Sequence, residues 1–291
     1  MLPVKPEGVM DRWCALIAGN SRLHWAMFLG ETLQQTWDCS YAKDAAPFQQ
    51  PDWERHSPAL AKIAPSTGPM PPLWMLSVVP SQTAFWQAYP NLHSVTLADI
   101  PLGNVYPSLG CDRALALWSA GQRYGFPALV IDGGTALTLT GADANGNLVG
   151  GAILPGVGLQ LRSLSAAASL PTPSLTESLP PRWARNTTGA IASGVLYTLR
   201  AGLFDFLQHW CQDVAVGTIV ITGGDASLLY QNLQSACNEK ETIAPVPWQN
   251  RLICDETLLF QGIRRLRIKS LESQGSELSI ESMGRLGDGH G

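Results

Sequence analysis

Residues 127–155 read PALVIDGGTALTLTGADANGNLVGGAILP, and this stretch decides how the chain folds. It opens on an apolar run, Ala128-Leu129-Val130-Ile131, with the composition of a buried strand. The run ends at Asp132 and turns through Gly133-Gly134-Thr135. A second strand-like run covers 136–139. Ala144-Asn145-Gly146-Asn147 is a hairpin signal, because Asn-Gly tolerates the positive φ that such turns need. A third strand starts at Leu148, with Gly150-Gly151 near its start. An acid at a strand end, beside two glycines and a hydroxyl, suits a site that holds phosphate and metal together. Glycines let backbone N–H groups approach an anion, Thr135 adds a donor, and Asp132 can face a cation. An ordinary hairpin with a Gly-rich turn has the same local pattern, so this stretch alone leaves both readings open.

The same order occurs earlier in the chain. Residues 14–18 (CALIA) are an apolar strand candidate, Gly19-Asn20-Ser21 a turn, 22–29 a second strand, Gly30-Glu31 a turn, and 32–39 a third strand. Strand, Gly-polar-hydroxyl turn, strand, turn, strand is written twice, which we read as an internal duplication of pattern. Between the two copies, 59–64 suits a short helix, 74–79 (WMLSVV) a buried strand, Pro80 to about Tyr89 a helix, and 94–97 a short strand. Residues 101–111 are punctuated by Gly and Pro and read as a loop. Residues 112–123 have helical composition with Asp112 at the N-terminal end, where the helix dipole favours a carboxylate. A simple N-cap is the alternative role for Asp112. After the second copy, 156–168 follows a Pro-Gly break as a helix, and 169–185 carries four prolines and reads as a loop. Residues 188–211 form a long apolar-rich helix. Residues 219–222 (IVIT) are a buried strand running into Gly223-Gly224-Asp225, another strand-to-Gly turn of the kind that faces nucleotides. Helices at 226–238 and 257–265 follow, then a polar Gly/Ser-rich segment from Lys269 that predicts a mobile tail.

Composition narrows the function. At 291 residues, with 45% hydrophobic and 14% charged residues, the chain has material for a sizeable core and no disorder signature. A net charge of −4 argues against a nucleic-acid partner, which would ask for a basic patch. No uninterrupted apolar run reaches the roughly 18 residues of a membrane span. The start, MLPVKPEGVMDRW, lacks the apolar region of a signal peptide. The six cysteines are scattered without a CxxC pair and read as buried free thiols of a reducing cytoplasm. The five histidines form no H-x-x-x-H pair, so a zinc site is not expected.

Taken in order, several segments resemble the type III pantothenate kinases, within the superfamily of acetate and sugar kinases, heat-shock chaperone ATPases and actin. The resemblance spans about residues 14–264. Gly19-Asn20-Ser21 is similar to the first phosphate loop, Asp-x-Gly-Asn-Thr, and Ser77-Val78-Val79-Pro80 to a Ser-Val-x-Pro strand end. Gly110-Cys111-Asp112-Arg113 matches the Gly-x-Asp-Arg signature, and Asp132-Gly133-Gly134-Thr135-Ala136 the second phosphate loop. Gly150-Gly151-Ala152-Ile153-Leu154-Pro155-Gly156 resembles Gly-Gly-x-Ile-x-Pro-Gly, and Ser169-Leu170-Pro171 the end of Thr-Ala-x-Leu-Pro. Residues 187–194 resemble Thr-x-x-Ala-Ile-x-Ser-Gly, and Thr222-Gly223-Gly224 the adenosine-side turn. Each motif alone is weak, but no generic reading predicts this many in this order.

The resemblance implies an α/β fold of two duplicated ribonuclease-H-like (actin-like ATPase) domains with mixed sheets flanked by helices. The halves would be 12–118, with the first phosphate loop, and 119–268, with the second loop and the adenosine turn, leaving 269–291 as the tail. It implies a cytoplasmic homodimer that uses ATP to phosphorylate pantothenate at its terminal hydroxyl, the first step toward coenzyme A. Asp112 would be the general base. Tyr106, Gly110, Arg113 and Thr187 would bind pantothenate, with Arg113 holding its carboxylate or ordering the loop. Gly19, Asn20, Ser21, Gly134, Thr135, Gly223 and Gly224 would bind ATP, which brings Mg2+. Asp132 would bind a monovalent cation, K+ or NH4+. Such chemistry needs positioning, charge neutralisation and a carboxylate in reach of the acceptor hydroxyl. One departure stands out. The first loop of the family has an aspartate two residues before its glycine, and this chain has Ile17 there. Asp11 is too far along the strand to replace it. That departure keeps open a non-catalytic accessory protein that binds nucleotide or pantothenate. A kinase of another hydroxylated acceptor is the third reading.

Overall fold

A computed structural model describes residues 11–41, 70–168, 170–174, 179–214, 217–238 and 247–287. The chain forms two compact units, Met1–Ile100 with Phe260–Gly291, and Pro101–Leu259. The short helix expected at 59–64 lies outside the described residues.

Apolar alternation builds the first unit. Strands β1 Arg12–Ala18, β2 Leu23–Leu29, β3 Thr32–Cys39, β4 Leu73–Ser77 and β5 Leu92–Val95 form a sheet in the order β3-β2-β1-β4-β5. β1 to β3 are an antiparallel meander, while β4 and β5 add in parallel on the other side of β1. Helix α1, Pro80–Trp86, joins β4 to β5. Its first-turn proline costs nothing there, because the first N–H groups of a helix have no intrahelical partner. Cys14, Leu16, Ala18, Leu23, Trp25, Leu73 and Met75 point to one face and pack with Phe85, Trp86 and Tyr89. On the opposite face Trp13 stacks on Phe28 at 4.2 Å.

The second unit repeats this plan. Strands β6 Ala128–Gly133, β7 Ala136–Ala142, β8 Leu148–Pro155, β9 Thr218–Thr222 and β10 Leu252–Cys254 are ordered β10-β9-β6-β7-β8. Read from β8, that is the order of the first sheet, with the same antiparallel and parallel pairings. The duplication expected from the two Gly turns is therefore a duplication of topology, as two ribonuclease-H-like halves require. Helices α2 Cys111–Tyr124, α3 Val157–Ala168, α4 Thr187–Asp213 and α5 Ala226–Asn238 belong to this unit. α2 packs on β6 and β7, so it stands with the second sheet, although 118 was the boundary drawn from sequence. α5 joins β9 to β10 as α1 joins β4 to β5.

Helix α4 supplies Ile191, Val195, Leu199, Leu203, Leu207 and Trp210 to the second core, at the three-to-four spacing of one helical face. By length and composition it is apolar enough to cross a membrane, but half of its most apolar window is buried in this core. Helix α6, Leu258–Gly287, belongs to the first unit from Phe260 onward. Arg267 lies over Trp13 at 4.8 Å and pairs with Asp11, while Arg264 donates to the Glu31 carbonyl. The helix then continues to Gly287, across residues whose composition predicts a tail; propagation from an anchored turn is far easier than nucleation. β10 has three residues, too few for periodicity to reveal. Among the described cysteines, Cys14, Cys39, Cys111, Cys211 and Cys254 are free thiols. Only Cys14 is fully buried, and burial pushes its thiol up to about 12.

Gly141 on β7 lies against the Trp210 ring, with no room for a β-carbon. Gly141→Ala should cost about 1–3 kcal/mol through overpacking. Gly202 sits on α4 with nothing near an added methyl, so Gly202→Ala should stabilise by about 0.4–1 kcal/mol. Urea unfolding of both variants checks the opposite signs.

Candidate active site

The second unit gathers most of the residues singled out by sequence. The loop before α2 is laced to the β7–β8 hairpin: Gly103 N–H donates to Gly146 O at 3.0 Å, and Leu148 N–H donates to Gly103 O at 2.8 Å. That fixes the entry of α2. Its N-cap is Gly110, which corrects the N-cap reading of Asp112. Asp112 is the second residue of the helix, within its first turn, and its Oδ1 accepts from the Arg113 N–H at 2.8 Å. A β-carbon at Gly110 would come within 2.6 Å of that oxygen, so glycine leaves room for the carboxylate.

Arg113 is buried and turned toward β7. Its Nε donates to Thr140 Oγ1 at 3.0 Å and its Nη2 to Leu139 O at 3.4 Å. Its Nη1 donates to Tyr106 Oη at 3.2 Å, fastening the exposed tyrosine of the preceding loop. The guanidinium is thus satisfied by neutral oxygens, and ordering the loop is what these contacts accomplish.

Asp132 ends β6 with Thr138 beside it on β7 and Thr222 beside it on β9. The backbone is crowded here. Gly223 has φ 88°, and a β-carbon there would strike Asp132 Oδ1 and the Gly133 carbonyl. Asp225 N–H donates to Gly133 O at 2.8 Å, and Gly156 N–H donates to Thr135 O at 3.0 Å. A β-carbon at Gly156 would strike the Gly134 and Thr135 carbonyls. Gly134, Thr135 and Gly223 therefore form one neighbourhood with Asp132. Burial, and then the charge of Asp112, push the Asp132 carboxyl up from 3.8 to about 6. The two acids named from sequence are therefore close enough to repel.

Among the described residues, no three His, Cys, Asp or Glu side chains assemble as a metal cluster. The residues do suit a hard cation that shares its ligands with phosphate and water, as kinase cations do. Asp132 is a crowded carboxylate, and the buried Thr222 Oγ1 beside it in register has no hydrogen-bond partner among the described residues.

Other candidates lie on other elements. Thr187 is exposed at the first turn of α4, whose N-cap Asn186 accepts from Gly189 N–H at 2.7 Å. Gly19, Asn20 and Ser21 lie in the first unit, where Gly19 N–H donates to Arg22 O at 3.2 Å and the Tyr41 hydroxyl donates to Gly19 O. Thr140, the oxygen that Arg113 uses, carries no sequence signal of that role; only strand pairing puts it beside α2. Asp225, quoted from sequence only as part of a turn, is raised by burial, with Arg162 acting against that rise.

The family model for type III pantothenate kinase matches residues 15–207. A type III pantothenate kinase of Nostoc sp. is 45% identical over 271 residues, covering 89% of this chain and 95% of the relative. Another, from Thermosynechococcus vestitus, is 38% identical and covers 99% of this chain and 100% of the relative. Among solved structures, a protein from Campylobacter jejuni described as a Baf family transcriptional activator superposes with TM-score 0.56 at 17% identity, over 89% of this chain and 99% of its own. The activator of the 2-hydroxyisocaproyl-CoA dehydratase from Clostridium difficile, with bound ADPNP, superposes at 0.50 and 11% identity, over 91% and 97%. At such identities these two show the fold alone.

A carboxyl raised on folding favours the folded state most below its ordinary value, and that contribution is lost as pH rises through about 6. Asp132→Asn removes the cost of a crowded charge. The variant should gain up to about 3 kcal/mol over the parent near pH 8, and the gap should close near pH 4. Urea unfolding at both pH values measures it; equal stability at the higher pH would contradict the burial argument.

Proposed function

The chain belongs to the type III pantothenate kinase family, and from that premise we propose how its residues divide the ATP-dependent phosphorylation of pantothenate, the first step of coenzyme A biosynthesis. Asp112 is the general base. Its Oδ1 is engaged by the Arg113 N–H, which leaves Oδ2 to accept the proton of the terminal hydroxyl. As that proton leaves, the hydroxyl oxygen bonds to the γ-phosphorus, the bond to the β-phosphate bridge breaks, and ADP departs. The observation that carries this assignment is the Gly110–Asp112–Arg113 arrangement at the start of α2, where a missing side chain makes room for an aligned carboxylate.

Arg113 orders the acceptor side through Tyr106 and Thr140. Tyr106 accepts from Arg113, so its own hydroxyl proton is available for pantothenate. Gly110 lines the same place. Gly19, Asn20 and Ser21 in the first unit, and Gly134 and Thr135 in the second, take the phosphates. Gly223 and Gly224 take the adenosine side. ATP brings a divalent cation, Mg2+, which neutralises phosphate charge in the transition state. Asp132, with Thr222 beside it, would hold the monovalent cation, K+ or NH4+. A cation there would offset the burial and the Asp112 charge that push its carboxyl up.

The working unit is a homodimer. Thr187 is exposed, and Trp183, four residues before it, is 88% exposed. Val149 and Ile153 of β8 also present apolar surface. A second copy covering these surfaces would bring Thr187 to pantothenate. The enzyme is cytoplasmic, without a nucleic-acid or membrane partner.

With ATP, magnesium, potassium and pantothenate, the protein should release ADP and form phosphopantothenate. Flat ADP release with nucleotide still bound would leave the accessory reading in its place. Asp112→Asn should lower turnover by about 10²–10⁴-fold and retain nucleotide binding, measured by calorimetry with ADP. Normal turnover in that variant would remove Asp112 from the role. Sodium in place of potassium should slow the reaction, and an indifferent rate would take the monovalent cation away from Asp132.

A further inference from the structure

Strand register places residues 17, 24 and 38 in one row across the first sheet. Ile17 pairs with His24, and His24 pairs with Asp38. Directly paired residues project from the same face, so this row lies on the face opposite the Leu16–Trp25 core. The row sits at the end of β1, where the Gly19-Asn20-Ser21 loop begins.

Within the row, His24 Nδ1 lies 2.8 Å from Asp38 Oδ1, and Arg22 Nη1 lies 3.2 Å from Asp38 Oδ2. One carboxylate therefore serves two basic groups. The Asp38 contact commits Nδ1 and directs the other ring nitrogen toward the loop. A β-carbon on Gly19 would lie 3.5 Å from His24 Nε2. No hydrogen-bond partner for Nε2 is found among the described residues, and the imidazole is about one-third exposed. The loop is held still beside it by the Gly19–Arg22 backbone bond and by Tyr41. As a stabilising device the His24–Asp38 pair has little value, since exposed ion pairs contribute roughly 0–1 kcal/mol. As a means of aiming one ring nitrogen it is effective.

We propose that His24, aligned by Asp38, donates from Nε2 to a phosphate oxygen of the nucleotide held at the first loop. With Nδ1–H given to Asp38 and Nε2–H to phosphate, the ring carries a proton on each nitrogen, and Arg22, His24 and Asp38 together carry net positive charge. Ile17, the flanking residue on β1, adds none. The protein thus meets phosphate charge directly in a loop that lacks its acid. This inference rests on the kinase reading above.

The test compares parent, His24→Gln, His24→Lys and Asp38→Asn as full-length chains. Calorimetry with ADP gives Kd, and steady-state kinetics give KM for ATP and for pantothenate. His24→Gln should raise the ADP Kd and the ATP KM by about tenfold, with the pantothenate KM unmoved. His24→Lys should restore tight binding, and Asp38→Asn should fall between parent and His24→Gln. The proposal is overturned if His24→Gln binds ADP within about twofold of the parent. It is also overturned if the Gln and Lys variants lose affinity equally, because shape rather than charge would then matter. A parent protein that binds ADP but releases none from ATP and pantothenate would refute the kinase reading and leave this measurement standing.

Discussion

No side chain fits at Gly223, and the chemistry of the second unit depends on that exclusion. Parallel pairing of β6 with β9 sets Asp132 beside Thr222, so the next residue of β9 turns directly against Asp132 and Gly133. A positive φ and the absence of a β-carbon allow the turn. The close approach strips water from the Asp132 carboxyl and raises it to about 6, with Asp112 adding repulsion. A charge held at such a cost to folding is the usual mark of a site kept for function rather than for stability.

The two sheets share a topology but not a charge pattern. Residue 17 is next to last in β1 as residue 132 is in β6, each paired on one side with an antiparallel strand and on the other with a parallel one. The second unit has an acid at this place and the first has isoleucine. Across the hairpin, the second unit has Thr138 where the first has His24. An acid therefore stands beside Thr138 and Thr222 in one half, and an imidazole beside isoleucine in the other. A duplicated fold tolerates this divergence because the core positions, facing the other way, are unaffected by it.

Much of this architecture was legible from residue pattern. Runs such as 128–131 and 219–222 are continuous and β-branched, as strands buried on both faces must be. Alternating periods and Gly turns gave nine of the ten strands, and the paired order of turns gave the duplication. β10 was not legible, because its three residues make no pattern. The helix beyond Lys269 was not legible either, since its early turns are held by Arg264 and Arg267 through contacts distant in sequence. Asp112 was legible as a helix-start acid, but whether it caps the helix was open until Gly110 is seen to take the cap.

By itself the chain's order of residues determined the element types, the repeat and the family, because these depend on local periodicity and on motifs contiguous in sequence. Tertiary structure alone decided which groups act on one another. Arg113 reaches Thr140 across 27 residues, Asp132 meets Gly223 across a parallel pairing, and His24 is aimed by Asp38 through a neighbouring strand. The physical reason is that pKa, orientation and steric exclusion are set by what lies within a few ångströms, and strand register brings those neighbours from remote parts of the chain.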